Sequence, residues 1–247
     1  MINYLRAEIY RLSRKKSLFV FLALAALGYL LVAVMRSGSL GAESILGDAS
    51  FFILLPPVVG GVLFAAIYTD DLGSKNLSTL VGFGLSKVKI VIAKLVLALL
   101  LTALIFGLVP LLSYVFYAVL GFPASGETLG AIYLSLLKYY LLSVVFMALG
   151  AVVVYGIQRS AASIVTYVVL AFGVVGQLLG LLLGADFVND FLPNATSYLA
   201  SNLASQLYTA LAGGDGSVLG AGIGLAIYLA AALVVSAVVF NKKEMEF

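Results

Sequence analysis

The chain has 247 residues, 63% hydrophobic and only 10% charged, with a formal net charge of +3. A soluble domain carries about 45–50% apolar and about 25% charged residues, so this composition predicts a membrane protein. Cysteine and histidine are both absent. That excludes disulfides, thiolate nucleophiles, the usual zinc sites and any Ser-His or Cys-His catalysis. No G-x-x-x-x-G-K-[ST] phosphate loop occurs either, and nothing in the sequence points to nucleic acid.

The start of the chain, "MINYLRAEIYRLSRKK", places Ile2, Leu5, Ile9 and Leu12 on one helical face, with Arg and Lys over much of the rest. That pattern predicts an amphipathic helix in the headgroup plane rather than a frayed start to the first span. The basic region is long and the apolar run after it is full length, so the segment reads as an uncleaved anchor, not a signal peptide. Six apolar runs are long enough to cross about 30 Å of hydrocarbon as helices. They lie at about 17–35, 51–68, 90–118, 139–157, 160–184 and 217–240. The expected fold is therefore all-α, a single transmembrane domain over 1–247. Pro56, Pro57 and Pro110 should bend or break the second and third spans.

Between spans 2 and 3 lies "TDDLGSKNLSTLVGFGLSKVK", residues 69–89. A plain helix connection needs only a handful of residues. Ser74 can cap a short helix with Leu77, Leu80 and Val81 on one face, Gly82 and Gly84 can end it, and Ser86 can cap the next span. A short helix rigidly joined to two spans is a lever. The plainer alternative is a solvated loop that holds positive charge.

Before span 4, Leu129, Ile132, Tyr133, Leu136 and Leu137 form an amphipathic stripe, predicting an external helix, with Lys138, Tyr139 and Tyr140 as the interface anchor. Span 5 carries Gly176, Gly180 and Gly184, and Gly216, Gly220 and Gly224 repeat the spacing at the start of span 6. Small residues at this interval allow close helix packing, within one chain or between two. Gln177, the one strongly polar side chain deep in span 5, suits an interhelical hydrogen bond and a transport pathway equally. Between spans 5 and 6, Leu199, Leu203, Leu207 and Leu211 fall in register opposite Ser201, Asn202, Ser205, Gln206 and Thr209. Two external helices are expected there. With six spans, twelve of the fourteen Lys and Arg residues fall on the side of the termini and only Arg36 and Lys138 on the other. Both termini should then face the cytoplasm.

The residues "F-A-A-I-Y-T-D-D-L-G-S-K-N-L-S-T-L" and "L-S-K-V-K-I-V-I-A-K" carry a resemblance to ABC-2-type transporter permeases. In that family an acidic end to span 2 precedes G-[ST]-[KL]-x-x-L, a serine-basic pair and an Ala-Lys entering span 3. Where the family often has Pro before the serine-basic pair, this chain has Gly84-Leu85. The small size resembles half-permeases of bacitracin or lantibiotic export and immunity. The resemblance implies a permease in the plasma membrane that dimerises with a second copy or a homologous permease. It also implies a separate ABC ATPase subunit that binds ATP and Mg, while this chain holds no cofactor and does no chemistry. The loop would be the coupling helix, with Asp70, Asp71, Gly73, Ser74, Lys75, Asn76, Leu77 and Leu80 docking the ATPase. Leu77 and Leu80 would be its buried anchors. A peptide or lipid-like cargo suits the apolar spans. A secondary transporter, or a scaffold that binds a toxin without moving it, are the other classes the sequence allows; essentially no ionisable residue sits at a span centre, which weighs against the first.

Overall fold

Runs of Leu, Val, Ala and Ile longer than a bilayer is thick leave the backbone no partner but itself, and helices result. The computed structural model describes residues 2–37, 49–73, 76–119 and 126–243. Among the described residues every element is helical and no strand occurs. Helix α1 spans Ile2–Ser13 and α2 Lys16–Ser37, at the position of the first expected span. Helix α3 covers Phe52–Leu72. The short α4, Asn76–Gly82, leads to α5, Lys87–Val119, and α6, Gly126–Ile157. Then come α7, Ser160–Ala171, α8, Val174–Leu183, α9, Asp186–Phe191, α10, Ala200–Leu211, and α11, Val218–Lys242.

Four of these helices, α3, α5, α6 and α11, are long and apolar enough to cross a membrane. The α7–α8 pair makes a fifth if it counts as one span, but it bends by 57°. Phe172 and Gly173 form the break, with Gly173 at φ 75°, a left-handed conformation that suits glycine. The apolar run over 160–184 is thus two short helices, not one straight rod. The stripe over 129–137 is helical as expected, but it continues without interruption into α6 instead of forming a separate helix. Helix α5 likewise runs on through Pro110.

Helix α6 is central, packing against α5, α7, α10 and α11. Its other faces and those of its neighbours carry exposed Leu, Val and Ile, such as Leu100 and Leu104 on α5 and Ile227 and Val234 on α11. Such surfaces suit lipid rather than water. The prolines of α3 widen the helix instead of breaking it. Pro56–Gly60 and Ala65–Thr69 form π turns, in which the Asp70 N–H reaches back five residues to the Ala65 carbonyl. Side chains satisfy carbonyls along these turns. The Tyr167 hydroxyl donates to Pro56 O at 2.7 Å, Thr69 Oγ1 to Ala65 O at 3.0 Å and Ser160 Oγ to Thr69 O at 3.3 Å.

Two glycines let this arrangement close. The Tyr167 ring stacks on Phe64 with centroids 4.8 Å apart. A Cβ at Gly150 would sit 3.0 Å from the Phe64 ring, and one at Gly60 would collide with the Tyr167 hydroxyl. Helices α3, α6 and α7 therefore meet where a Cβ on α3 or α6 would force the Tyr167 or Phe64 ring to shift.

Candidate functional site

The ends of α3, α5, α6, α7 and α11 converge with α1 at one end of the bundle. Ser160 reaches Thr69, Lys87 Nζ donates to Lys243 O at 2.9 Å, and Tyr155 packs on Phe240. Helix α1 faces this convergence with Tyr4, Glu8 and Leu12, spaced at i, i+4 and i+8. The sequence stripe of Ile2, Leu5, Ile9 and Leu12 is split, because Ile2 and Ile9 are exposed while Leu12 is buried.

Glu8 is the residue that turns α1 from a surface helix into a clamped one. Lys94, two turns into α5, is 1% exposed and pairs with Glu8 Oε2 at 2.8 Å and with Asp71. Arg11 holds Glu8 at 2.8 Å, Asp70 at 3.5 Å and Asp71 at 3.7 Å, and donates to Ala66 O at 3.2 Å. Lys15 pairs with Asp70. Three cations thus meet three carboxylates, and the cluster is neutral. Such balance is what permits full burial, since an isolated charge would cost several kcal/mol on the order of the penalty for a buried ion. Burial alone would push the Glu8 carboxyl up, but the Lys94 ammonium and the Arg11 guanidinium outweigh it and hold its pKa below the ordinary value. Burial would likewise depress Arg11, yet its hydrogen bond to Glu8 and the charges of Asp71 and Asp70 raise it on balance. The Tyr4 hydroxyl beside them is pushed up, first by burial and then by Glu8 and Asp71.

The residues expected to dock a partner take up three different places. Asp71 is fully buried in the clamp, and Asp70 pairs with Arg11 and Lys15. Gly73 ends the helical turn that follows α3 and Asn76 opens α4. Ser74 and Lys75, with the expected Ser74 cap, lie outside the described residues. Leu77 is 3% exposed and belongs to the same apolar core as Leu12, Ile67 and Ile90, with Leu80 and Val81 packed against it. The apolar face of α4 exists as the spacing predicts, but it is covered by the chain's own core. What the loop presents outward is Phe83, 82% exposed in the turn after α4, where Gly84 adopts φ 85°. Sequence spacing did not single out Phe83 or Glu8, and Lys94 stood out only as the lysine of the Ala-Lys entering span 3, with no partner assigned to it. The available signals were an aromatic between two glycines in a polar loop, and an acid on the same helical face as Tyr4 and Leu12.

The glycine triplets pack against the connection between spans 5 and 6. A Cβ at Gly176 would lie 3.9 Å from Ser201, at Gly180 3.8 Å from Leu199 and at Gly184 3.9 Å from Thr196. Gly224 is tighter, with Leu203 Cδ1 at 2.8 Å from such a Cβ, while Gly220 meets only its own turn. Gly216 precedes α11, at φ 152°. Helix α10 is the element they accommodate: Leu203, Ala204 and Leu207 bury against Leu142, Val145, Ala221 and Leu225. Of the expected leucine stripe, Leu199, Leu203 and Leu207 are buried and Leu211 is exposed. Gln177 is exposed within α8 and lines a groove beside α10.

These features define a polytopic α-helical membrane protein in which a short loop helix between two spans is braced by an ion-paired amphipathic N-terminal helix. The chain belongs to the ABC-2 transporter family: the family described as "ABC-2 family transporter protein" matches residues 4–179, more than two thirds of its length. The match includes the clamp, the loop and most of the broken span. No curated protein matches the chain. Membership makes it a membrane transport subunit, of a kind that normally works with an ATPase subunit.

Proposed function

We propose that the chain is the membrane-spanning permease of an ATP-binding cassette exporter, with six spans and both termini cytoplasmic, in the plasma membrane. It dimerises with a second copy or a homologous permease and is driven by a separate ATPase subunit that binds ATP and Mg. Its cargo is a peptide or an amphipathic, lipid-like molecule. The observation that supports this reading best is the two-sidedness of the 70–84 segment. One side, Asp71 and Leu77, is locked into the chain's own core, and the other leaves Phe83 exposed. Aromatic anchors of this kind dominate protein interfaces when a partner pocket covers them. A force applied at Phe83 passes through α4 to α3 and α5, and through the clamp to α1, so ATPase closure moves several helix ends together.

Phe83→Asp tests the reading. It should abolish co-purification of the ATPase from a detergent extract while leaving the thermal stability of the isolated permease unchanged, because the side chain touches little of its own chain. Leu77→Asp should instead destabilise the permease itself, since it places a carboxylate in a closed apolar core. Full ATPase retention and transport with Phe83→Asp would remove the loop from the coupling path.

A further inference from the structure

At the end of the bundle away from the clamp, a groove of about 500 Å³ opens between α6, the α7–α8 bend and α10. Its volume lies within the range of about 300–1,000 Å³ typical of small-ligand sites. The 57° break at Phe172 and Gly173 turns α8 away from the line of α7, and the groove lies at this bend. Its lining is mixed: Leu142, Phe146 and Leu179 are apolar, and Gln177, Asn202 and Lys138 are polar, with Lys138, Leu142 and Phe146 following one another along one face of α6.

Lys138 gives the groove its chemistry. It precedes the end of α6 at Ile157 by 19 residues, or about 28 Å at about 1.5 Å per residue. That is close to one hydrocarbon thickness from the clamp end, at the opposite interface. A lysine there could simply snorkel into water. Instead it is half-buried along the groove, its ammonium 5.6 Å from the centre of the Tyr139 ring, and it makes no ion pair among the described residues. Among the described residues, the acids of that side, Glu127, Asp186, Asp190 and Asp215, are exposed and none lines the groove. Asn202 already donates its amide to Thr196 O at 2.7 Å, whereas Gln177 has no such commitment. A cation with no ion pair among the described residues, an uncommitted amide and an apolar lining are together complementary to a phosphate that carries a hydrocarbon chain.

We propose that this groove binds one anionic phospholipid from the bilayer leaflet on that side. Its phosphate meets Lys138 and Gln177, and an acyl chain lies against Leu142, Phe146 and Leu179. The site belongs to a single chain and needs neither the ATPase nor transport, so it stands or falls separately from the exporter reading. Native mass spectrometry of the full chain, released from micelles with equal phosphatidylglycerol and phosphatidylcholine, is the test. One phosphatidylglycerol per chain should be retained in preference. Lys138→Gln should cut that preference about fivefold, the equivalent of about 1 kcal/mol per basic residue at an anionic surface. Lys16→Gln, at the clamp end, should not. Gly176→Leu projects toward Ser201 and should displace both lipids; melting curves establish that it folds, and Lys138→Gln decides the matter if it does not. Equal retention of the two lipids, or an unchanged preference with Lys138→Gln, overturns the proposal. Displacement of the lipid by millimolar inorganic phosphate overturns it as well, since the site would then be one for a free anion.

Discussion

Replacing Lys94 by Met removes the ammonium at the centre of the clamp and keeps the volume of the stem. Lys94 is 1% exposed, Asp71 is fully buried and Glu8 is 6% exposed, so neither carboxylate gains water in exchange. Breaking one partner out of such a buried group typically costs about 3–5 kcal/mol. Arg11 remains 2.8 Å from Glu8 and 3.7 Å from Asp71, which places the expected loss near the lower end, about 3 kcal/mol. Removing both partners, Lys94→Met with Asp71→Leu, should recover much of that loss, because no uncompensated charge is then left behind. The assay is thermal unfolding in detergent, paired with maleimide labelling of a single cysteine at Tyr4, which is 8% exposed in a chain with no native cysteine. Lys94→Met should lower the midpoint and open Tyr4→Cys to the reagent; the double variant should melt closer to the parent. A midpoint change under about 0.5 kcal/mol, the scale of an ordinary surface substitution, with Tyr4→Cys still shielded, would refute the claim that the clamp holds α1 in place.

Acid should weaken the same clamp. The folded-state pKa of Glu8 is depressed, so its contribution is complete above the ordinary carboxylate pKa of about 4.3 and is lost as pH falls below it; Glu8→Gln should flatten that part of a melting-temperature profile against pH. Gly150→Leu should destabilise by about 1–3 kcal/mol through overpacking against Phe64. Gly180→Leu, whose Cβ has 3.8 Å to Leu199, should change the denaturation midpoint by under about 0.5 kcal/mol. For topology, Asp215→Cys should react with an impermeant thiol reagent from outside intact cells, and labelling only after permeabilisation would reverse the proposed orientation.

Helix class and most boundaries follow from hydropathy because lipid leaves the backbone one solution. Breaks do not follow as easily. Pro56 and Pro57 signal a disturbance in α3, but whether the helix kinks or widens depends on which side chains can take up its carbonyls. Here Tyr167, more than a hundred residues away, supplies the hydroxyl for Pro56 O. The break in span 5 was less visible still. Phe172-Gly173 sits in an unbroken apolar run, and glycine is common in membrane helices, so only its left-handed backbone in the fold, φ 75°, distinguishes this one. Spacing found the glycine triplets, yet Gly60 and Gly150, which belong to no such triplet, make closer contacts than Gly180. Periodicity reports which residues share a face; it is silent on how near the opposing face comes.

The loop shows the same division at the level of function. Two adjacent aspartates in a polar loop look like docking charges, because solvent-facing acids and partner-facing acids have one sequence signature. Their partners decide the matter, and those are Arg11 and Lys15, 55 or more positions away, and Lys94, more than twenty away. With the aspartates turned inward, α1, α3 and α5 share one ionic core. A partner that grips the outward side of the loop does not pull on a flexible tether; it pulls on three helices at once. That rigidity is what the proposed lever requires, and the ionic clamp supplies it where an apolar core of the same volume would serve as well.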